Sequence, residues 1–258
     1  MILEYKNIPI YYNDQGHGKV VVLLHGFLES SSMWKDSIEE LEANYRVITI
    51  DLLGHGKTGC LGYIHTMEMM ADAVVSVLGH LTIEACVFIG HSMGGYVALA
   101  LAEAFPEKVR GLCLMNSTPF ADSPERQTNR DRAIKVVKQN HRNFIRMSIV
   151  NLFSPLNRAQ FAVEIKAIVV EAMNIPLQGI VAAVEGMKIR KDRSEGLQQL
   201  KAFKMVVLGR EDPVLEFDGL NVQLTELKIE QIQLPGGHMS HIEDKYELTD
   251  KLKHFIEK

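Results

Sequence analysis

Paired cysteines, long apolar runs and an excess of positive charge are all missing from this chain of 258 residues. Its three cysteines, Cys60, Cys86 and Cys113, form no C-x-x-C pair. That excludes a disulfide scaffold and makes a reduced, cytoplasmic setting the simplest expectation. No apolar run, Val20–Leu24 included, approaches the ~18 residues that a membrane span requires. The opening Met1-Ile2-Leu3-Glu4-Tyr5-Lys6 lacks a basic segment followed by an apolar one, so no secretory leader and no membrane partner are expected. Lys and Arg number 28 against 32 Asp and Glu, a net charge of −4, which argues against bulk electrostatic binding to nucleic acid. Disordered and collagen-like classes are excluded by an apolar content of 47%. The length allows one or two domains and a core that needs no metal or disulfide staple.

What is present is a rhythm. After a hairpin over Leu3–Asn13, with a turn expected at Asn7-Ile8-Pro9, apolar strand-like runs recur at Val20–Leu24, Arg46–Ile50, Ala85–Ile89, Val109–Met115, Met205–Leu208 and Ile229–Leu234. The early ones are continuously apolar and rich in Val and Ile, as strands buried on both faces require. Amphipathic stretches separate them: Ser32–Ala43, Met67–Leu81, Met93–Phe105 and Glu243–Ile256. Strand alternating with helix predicts an α/β fold, a parallel sheet with helices on both faces. From Ser117 to Glu195 no strand pattern occurs, while helical patterns fall near 125–140, 142–152, 157–173 and 177–188. Asp122 or Ser123 can cap the first of these, with Pro124 at its first position. We therefore expect a core of residues 1–116 and 196–258 carrying an all-helical cap, 117–195, after strand 6.

Gly90-His91-Ser92-Met93-Gly94 matches G-x-S-x-G, a weak pattern alone. Here it follows a strand directly and opens a helix, the context of a nucleophile elbow. Flanking glycines permit the tight turn, and Ser92 projects from its apex. The backbone N–H of Met93 then lies at a helix N-terminus, where an anion is favoured. A second oxyanion donor is expected from His25-Gly26-Phe27-Leu28, after the strand Val20–Leu24; the N–H of Phe27 is the candidate.

The His25-Gly26-Phe27 turn, Asp51-Leu52-Leu53-Gly54-His55-Gly56, the Gly90–Gly95 elbow and a late Gly-His together resemble the α/β-hydrolase fold family. The likeness runs through the whole chain, although Leu53 stands where that family usually has Arg. The resemblance implies an eight-stranded, mostly parallel sheet, a Ser–acid–His triad and no metal or organic cofactor. In the order Ser…Asp/Glu…His, His238 of Leu234-Pro235-Gly236-Gly237-His238 is the expected base, with His241 as the alternative. Asp212, after Met205–Leu208, is the expected acid, with Glu211 beside it. Asn116, after the preceding strand, cannot carry the charge. His25, His55 and His91 fall near this site as turn-stabilising or floor residues. His17, His65, His80, His141 and His254 read as surface or lid positions.

Other motifs fail. Gly54-His55-Gly56-Lys57-Thr58 lacks the first glycine of a phosphate-binding loop, and no His, Cys, Asp or Glu group has metal-ligand spacing. The segment 117–195 holds 13 Lys and Arg against 8 Asp and Glu, while the remainder holds 15 against 24. Lys138, Arg142 and Arg146 share a helical spacing. One of these arginines, Arg142 or Arg146, is a candidate for binding a substrate carboxylate, with His25, His91 and Phe144 as further pocket residues. The function expected is a serine esterase acting on a small molecule. C–C bond cleavage of a carboxylated substrate, cofactor-free haloperoxidase or perhydrolase chemistry and a ligand-binding receptor remain alternatives, because fold does not fix function.

Overall fold

Alternate residues along the apolar runs belong to opposite faces of one sheet. The structure, a computed structural model, describes residues 1–258. Its strands are β1 (Ile2–Tyr5), β2 (Ile8–Gln15), β3 (Lys19–Leu24), β4 (Tyr45–Ile50), β5 (Cys86–His91), β6 (Val109–Met115), β7 (Phe203–Gly209) and β8 (Glu230–Leu234). Ten α-helices accompany them: α1 (Lys35–Leu41), α2 (Met67–His80), α3 (Met93–Ala104), α4 (Pro124–Val150), α5 (Ala162–Ala172), α6 (Leu177–Lys188), α7 (Ser194–Gln199), α8 (Phe217–Glu226), α9 (Ser240–Glu243) and α10 (Lys245–Glu257). The strands form one sheet in the order β1-β2-β4-β3-β5-β6-β7-β8, antiparallel at β1–β2 and β2–β4 and parallel elsewhere.

Val22, Leu24, Phe88, Leu112, Leu114, Val206 and Leu208 pack on one face against buried residues of α2, α3 and α8. Val21, Leu23, Val87, Ile89, Cys113, Met115, Met205 and Val207 pack on the other, against Trp34, Leu41 and the Leu248–Leu252–Phe255–Ile256 stripe of α10. A period of two along each strand makes this partition. Each fully buried Val, Leu or Phe contributes about 1.5–3 kcal/mol relative to exposure. Val137, Ile145, Ile149, Phe153, Ile165, Val169 and Ile180 of the inserted segment form a third cluster, which reaches Leu28 and Met239 of the sheet-edge loops.

Between β3 and β5 the chain reverses its direction of travel across the sheet: β4 lies on one side of β3 and β5 on the other. Loops after β3 and β5 therefore diverge and leave a crevice at the strands' C-terminal ends, where such sheets bind ligands. No single helix is long and apolar enough to cross a membrane.

Several local expectations are corrected. The first hairpin turns at Lys6-Asn7, both with positive φ (48° and 64°), not at Asn7-Ile8-Pro9. A two-residue turn of this hand matches the strand twist, and Asn tolerates it, which puts Pro9 inside β2 opposite Glu4. The two helices expected at 125–140 and 142–152 are both present, run together as α4 and broken where expected, at Asn140, which leaves helical geometry at φ −151°, ψ 76° and accepts from the Asn143 N–H. Ser123, not Asp122, caps it by accepting from the Arg126 N–H. Helix α5 begins at Ala162, five residues later than expected, and α7 crosses the boundary placed at 195/196. Helix α8, in none of the sequence patterns, starts where Glu216 accepts from the N–H groups of Asp218 and Gly219. His65, expected at the surface or in the lid, is buried, with Nε2 accepting from the Leu61 N–H.

Candidate active site

Ser92 ends β5 and precedes α3 with φ 48° and ψ −111°, a conformation costing a non-glycine residue about 1–3 kcal/mol. The surroundings enforce it. The Ser92 N–H donates to the Met115 carbonyl at 2.9 Å, and its own carbonyl accepts from Ser117 Oγ at 2.7 Å. A Cβ on Gly94 would collide with the carbonyls of Leu24 and His25, so the elbow can sit against β3 only with glycine there.

Three side chains that lie far apart in sequence are hydrogen-bonded in series. His238 Nε2 accepts from Ser92 Oγ at 2.9 Å, and His238 Nδ1 donates to Asp212 Oδ2 at 2.8 Å. His238 and Asp212 are both about 2% exposed at the side chain. Asp212 sits in the loop after β7 and also accepts from the N–H groups of Val214 and Leu215 at 2.8 and 3.0 Å. Burial alone would raise its pKa, but His238 and these two N–H groups outweigh burial and hold the carboxyl below its ordinary range. Glu211 takes no part in the series, and neither does His241.

Asn116 lies on this site as well. From the loop after β6 its Nδ2 donates to Gly237 O at 3.0 Å and to Asp212 Oδ2 at 3.3 Å. It thus supports the carboxylate from the neighbouring strand end, a role its inability to carry charge does not reveal.

The Phe27 N–H makes no hydrogen bond within the chain, and the Met93 N–H heads α3, where no intrahelical acceptor exists. Phe27, His91, Ser92, Tyr96, Arg130, Phe144, Ser148, Asn151, Leu152, Val214 and His238 line a cavity of about 400 Å³ between the sheet edge and α4. A larger groove of about 740 Å³ lies elsewhere, beside Ser31, Asp51, Lys57 and Glu171.

His91 borders the cavity and also joins three loops. Its Nδ1 lies 2.7 Å from Glu29 Oε2 and its Nε2 2.9 Å from the His238 carbonyl. Both neighbours are acceptors, so both ring nitrogens carry protons and the imidazole is cationic. Burial would lower its pKa, yet the Glu29 carboxylate prevails and raises it, while Glu29 falls to about 2. Glu29 Oε2 also accepts from the Gly26 N–H at 2.7 Å. One ion pair therefore joins the Gly26–Phe27 turn, the elbow and the His238 loop.

The remaining candidates sit elsewhere. His25 is buried behind the site, with Nδ1 donating to the Gly26 carbonyl and Nε2 accepting from the Leu52 N–H. Arg142 and Arg146 are exposed, form no ion pair and do not line the cavity, because they lie on the solvent face of α4 while Phe144 and Ser148 of the same stretch face the cavity and Ile145 and Ile149 are buried. The arginine that reaches the cavity is Arg130. It follows Arg126 by four residues and Asp122 by eight, a helical spacing as legible in the sequence as that of Lys138, Arg142 and Arg146. Glu29, His91 and His241 could each offer one metal ligand atom, all within 4.8 Å of one another. A metal there would have to displace a proton from the Glu29–His91 pair.

A profile of the alpha/beta hydrolase fold matches residues 19–156. Among solved structures, a thermophilic esterase from Thermogutta terrifontis with malate bound superposes with a TM-score of 0.91 at 30% identity, covering 97% of this chain and 93% of its own. A bifunctional epoxide hydrolase 2 from Sus scrofa is 33% identical over 125 residues, which are 47% of this chain and 22% of that protein. The chain thus spans about a fifth of the length of the curated relatives it matches first. A 2-hydroxy-6-oxononadienedioate/2-hydroxy-6-oxononatrienedioate hydrolase from Paraburkholderia phymatum is 29% identical over 235 residues, 82% of this chain and 77% of that protein.

Proposed function

We infer that this chain, which belongs to the alpha/beta hydrolase fold family, is a serine hydrolase that cleaves a small carboxylic ester through an acyl-enzyme. The observation that carries the inference is the series Ser92 Oγ, His238, Asp212, with contacts of 2.9 and 2.8 Å, opening onto the cavity beneath α4. Hydrogen-bonded to Asp212, His238 is held with its proton on Nδ1, leaving Nε2 to take the Ser92 proton. Ser92 Oγ adds to the ester carbonyl, and the resulting oxyanion is stabilised by the N–H groups of Phe27 and Met93. His238 returns the proton to the leaving alcohol as the carbon–oxygen bond breaks. Water, deprotonated in turn by His238, adds to the acyl-enzyme and releases the acid and Ser92.

In this reading residues 117–195 act as a cap whose side chains shape the substrate cavity. Three unpaired cysteines, two of them buried, support a reducing location such as the cytoplasm. A second reading, cleavage of a C–C bond in a carboxylated substrate, has the Paraburkholderia relative in its favour. Turnover of p-nitrophenyl butyrate separates the two. The ester reading expects steady hydrolysis that falls by at least about 10⁴-fold in Ser92→Ala. Hydrolysis equal in the two proteins overturns it.

A further inference from the structure

Asp122 is the one carboxylate in a group of three arginines at the joint between cap and sheet. It is fully buried, and Arg190 Nη1 lies 2.7 Å from Oδ1, Arg130 Nε 2.9 Å from Oδ2 and Arg126 Nε 3.4 Å from Oδ1. Asp122 therefore balances one of three positive charges, carried on side chains 3% (Arg190), 20% (Arg130) and 37% (Arg126) exposed.

The three arginines are not equivalent. Arg190 donates to the Met187 and Phe120 carbonyls and stacks on the Tyr96 ring at 4.1 Å, so its position is fully specified by the fold. Arg126 donates to the Val214 carbonyl. Arg130 gives only its Nε to Asp122, and neither terminal nitrogen has a hydrogen-bond partner within the chain. Arg130 lines the Ser92 cavity. No Asp or Glu lines the cavity, and the imidazoles there, His91 and His238, already have partners on both ring nitrogens.

We propose that Arg130 binds a carboxylate on the substrate itself, so that the preferred substrate is an ester carrying a second, ionised carboxyl group, such as the half-ester of a dicarboxylic acid. This rests on the reading of Ser92 as an ester-cleaving nucleophile and narrows its substrate class. Two free N–H₂ groups on a planar fork match a carboxylate's two oxygens. Asp122 holds the fork from behind through Nε, which leaves its outer edge for the ligand. Burial makes such a contact stronger than it is in water and makes a neutral replacement for the anion unfavourable.

The test uses Ser92→Ala, which retains Arg130 while removing turnover, and measures binding of monomethyl glutarate and dimethyl glutarate by calorimetry. The proposal expects the monoanion to bind at least about 10-fold more tightly than the diester, the scale of one charge-assisted hydrogen-bonded pair. In Ser92→Ala/Arg130→Gln that preference is lost, and Arg130→Lys restores part of it. Exposed Arg142→Gln leaves it intact. Equal binding of both esters by folded Ser92→Ala, or an unchanged preference in the Arg130→Gln double variant, overturns the proposal. Absence of p-nitrophenyl ester hydrolysis by the wild-type protein counts instead against the esterase reading, since the binding arm does not depend on turnover.

Discussion

His91 needs two protons and Glu29 none, and the pair has been removed from water to 1% and 3% exposure. A buried pair of this kind costs little while it is intact and much when it is halved, because the surviving partner is left charged and unsolvated. Glu29→Gln should therefore destabilise the protein by about 3 kcal/mol, lowering Tm by roughly 6–12 °C in a thermal melt. Adding His91→Gln should recover part of that loss, since the two residues share one interaction. Simple additivity of the two substitutions in the melt would show that they are energetically independent. The contrast with Ser92 explains what could be read from the chain alone. Gly90, Ser92 and Gly94 are neighbours, and their chemistry is written in a local turn that only those residue types can make. Glu29 reaches His91 across 62 positions and leaves no spacing in the sequence, whereas Asp122, Arg126 and Arg130 fall at four-residue intervals and only their convergence on one carboxylate is unreadable there.

At the scale of elements, the inserted helical segment is tied to the His238 loop and the helix after it. Leu152 O accepts from the His238 N–H at 2.9 Å, and Glu243 Oε2 accepts from the Ser154 N–H and Asn157 Nδ2 at 3.1 and 2.8 Å. On the opposite side α6 lies directly on the loop before α2, where the His65 N–H donates to Ala182 O at 3.0 Å. A Cβ on Gly186 would run into the His65 carbonyl. Glycine to alanine inside a helix ordinarily stabilises by about 1 kcal/mol. Here the sign reverses: Gly186→Ala should destabilise by about 1–3 kcal/mol, as overpacking does. A chemical-denaturation midpoint that rises in this variant would contradict the packing of α6 described above. The central strands were legible at this scale because β3, β5 and most of β6 and β7 are apolar runs bounded by turns. Helix α8 was not, because Asp218-Gly219 sits in its first turn and reads as the start of a loop. The helices of the inserted segment were legible as helices, and the break at Asn140 has a local cause, since its side chain accepts from the Asn143 N–H as an N-cap does.

For the whole molecule, burial of neutral histidines sets the response to acid. Desolvation lowers the pKa of His25, His55, His65 and His241, to about 3 for His55 and about 4 for His241. Once unfolded, these groups take up protons below about pH 6.5 that the native state refuses, so their contribution is present above that pH and lost as pH falls. Each adds a slope of up to about 1.4 kcal/mol per pH unit. Glu29 and Asp212, both lowered, act in the same sense at still lower pH. His91, raised by Glu29, acts oppositely and loses its contribution only as pH rises through its own pKa. Tm should thus fall steadily from pH 7 to pH 4.5, with net proton uptake greater than one on unfolding; a flat profile would contradict the burial of these rings. Net charge, which looked unremarkable for the chain as a whole, hides a segment, 117–195, with more basic than acidic residues and a remainder with the reverse.

That Ser92 is the nucleophile, activated by His238, is tested most directly by intact-mass and peptide mapping after reaction with a fluorophosphonate. One adduct per chain is expected, on Ser92, absent in Ser92→Ala and strongly slowed in His238→Ala. Folded wild-type protein that takes up no label, or label found on another residue at the same rate in Ser92→Ala, would contradict it.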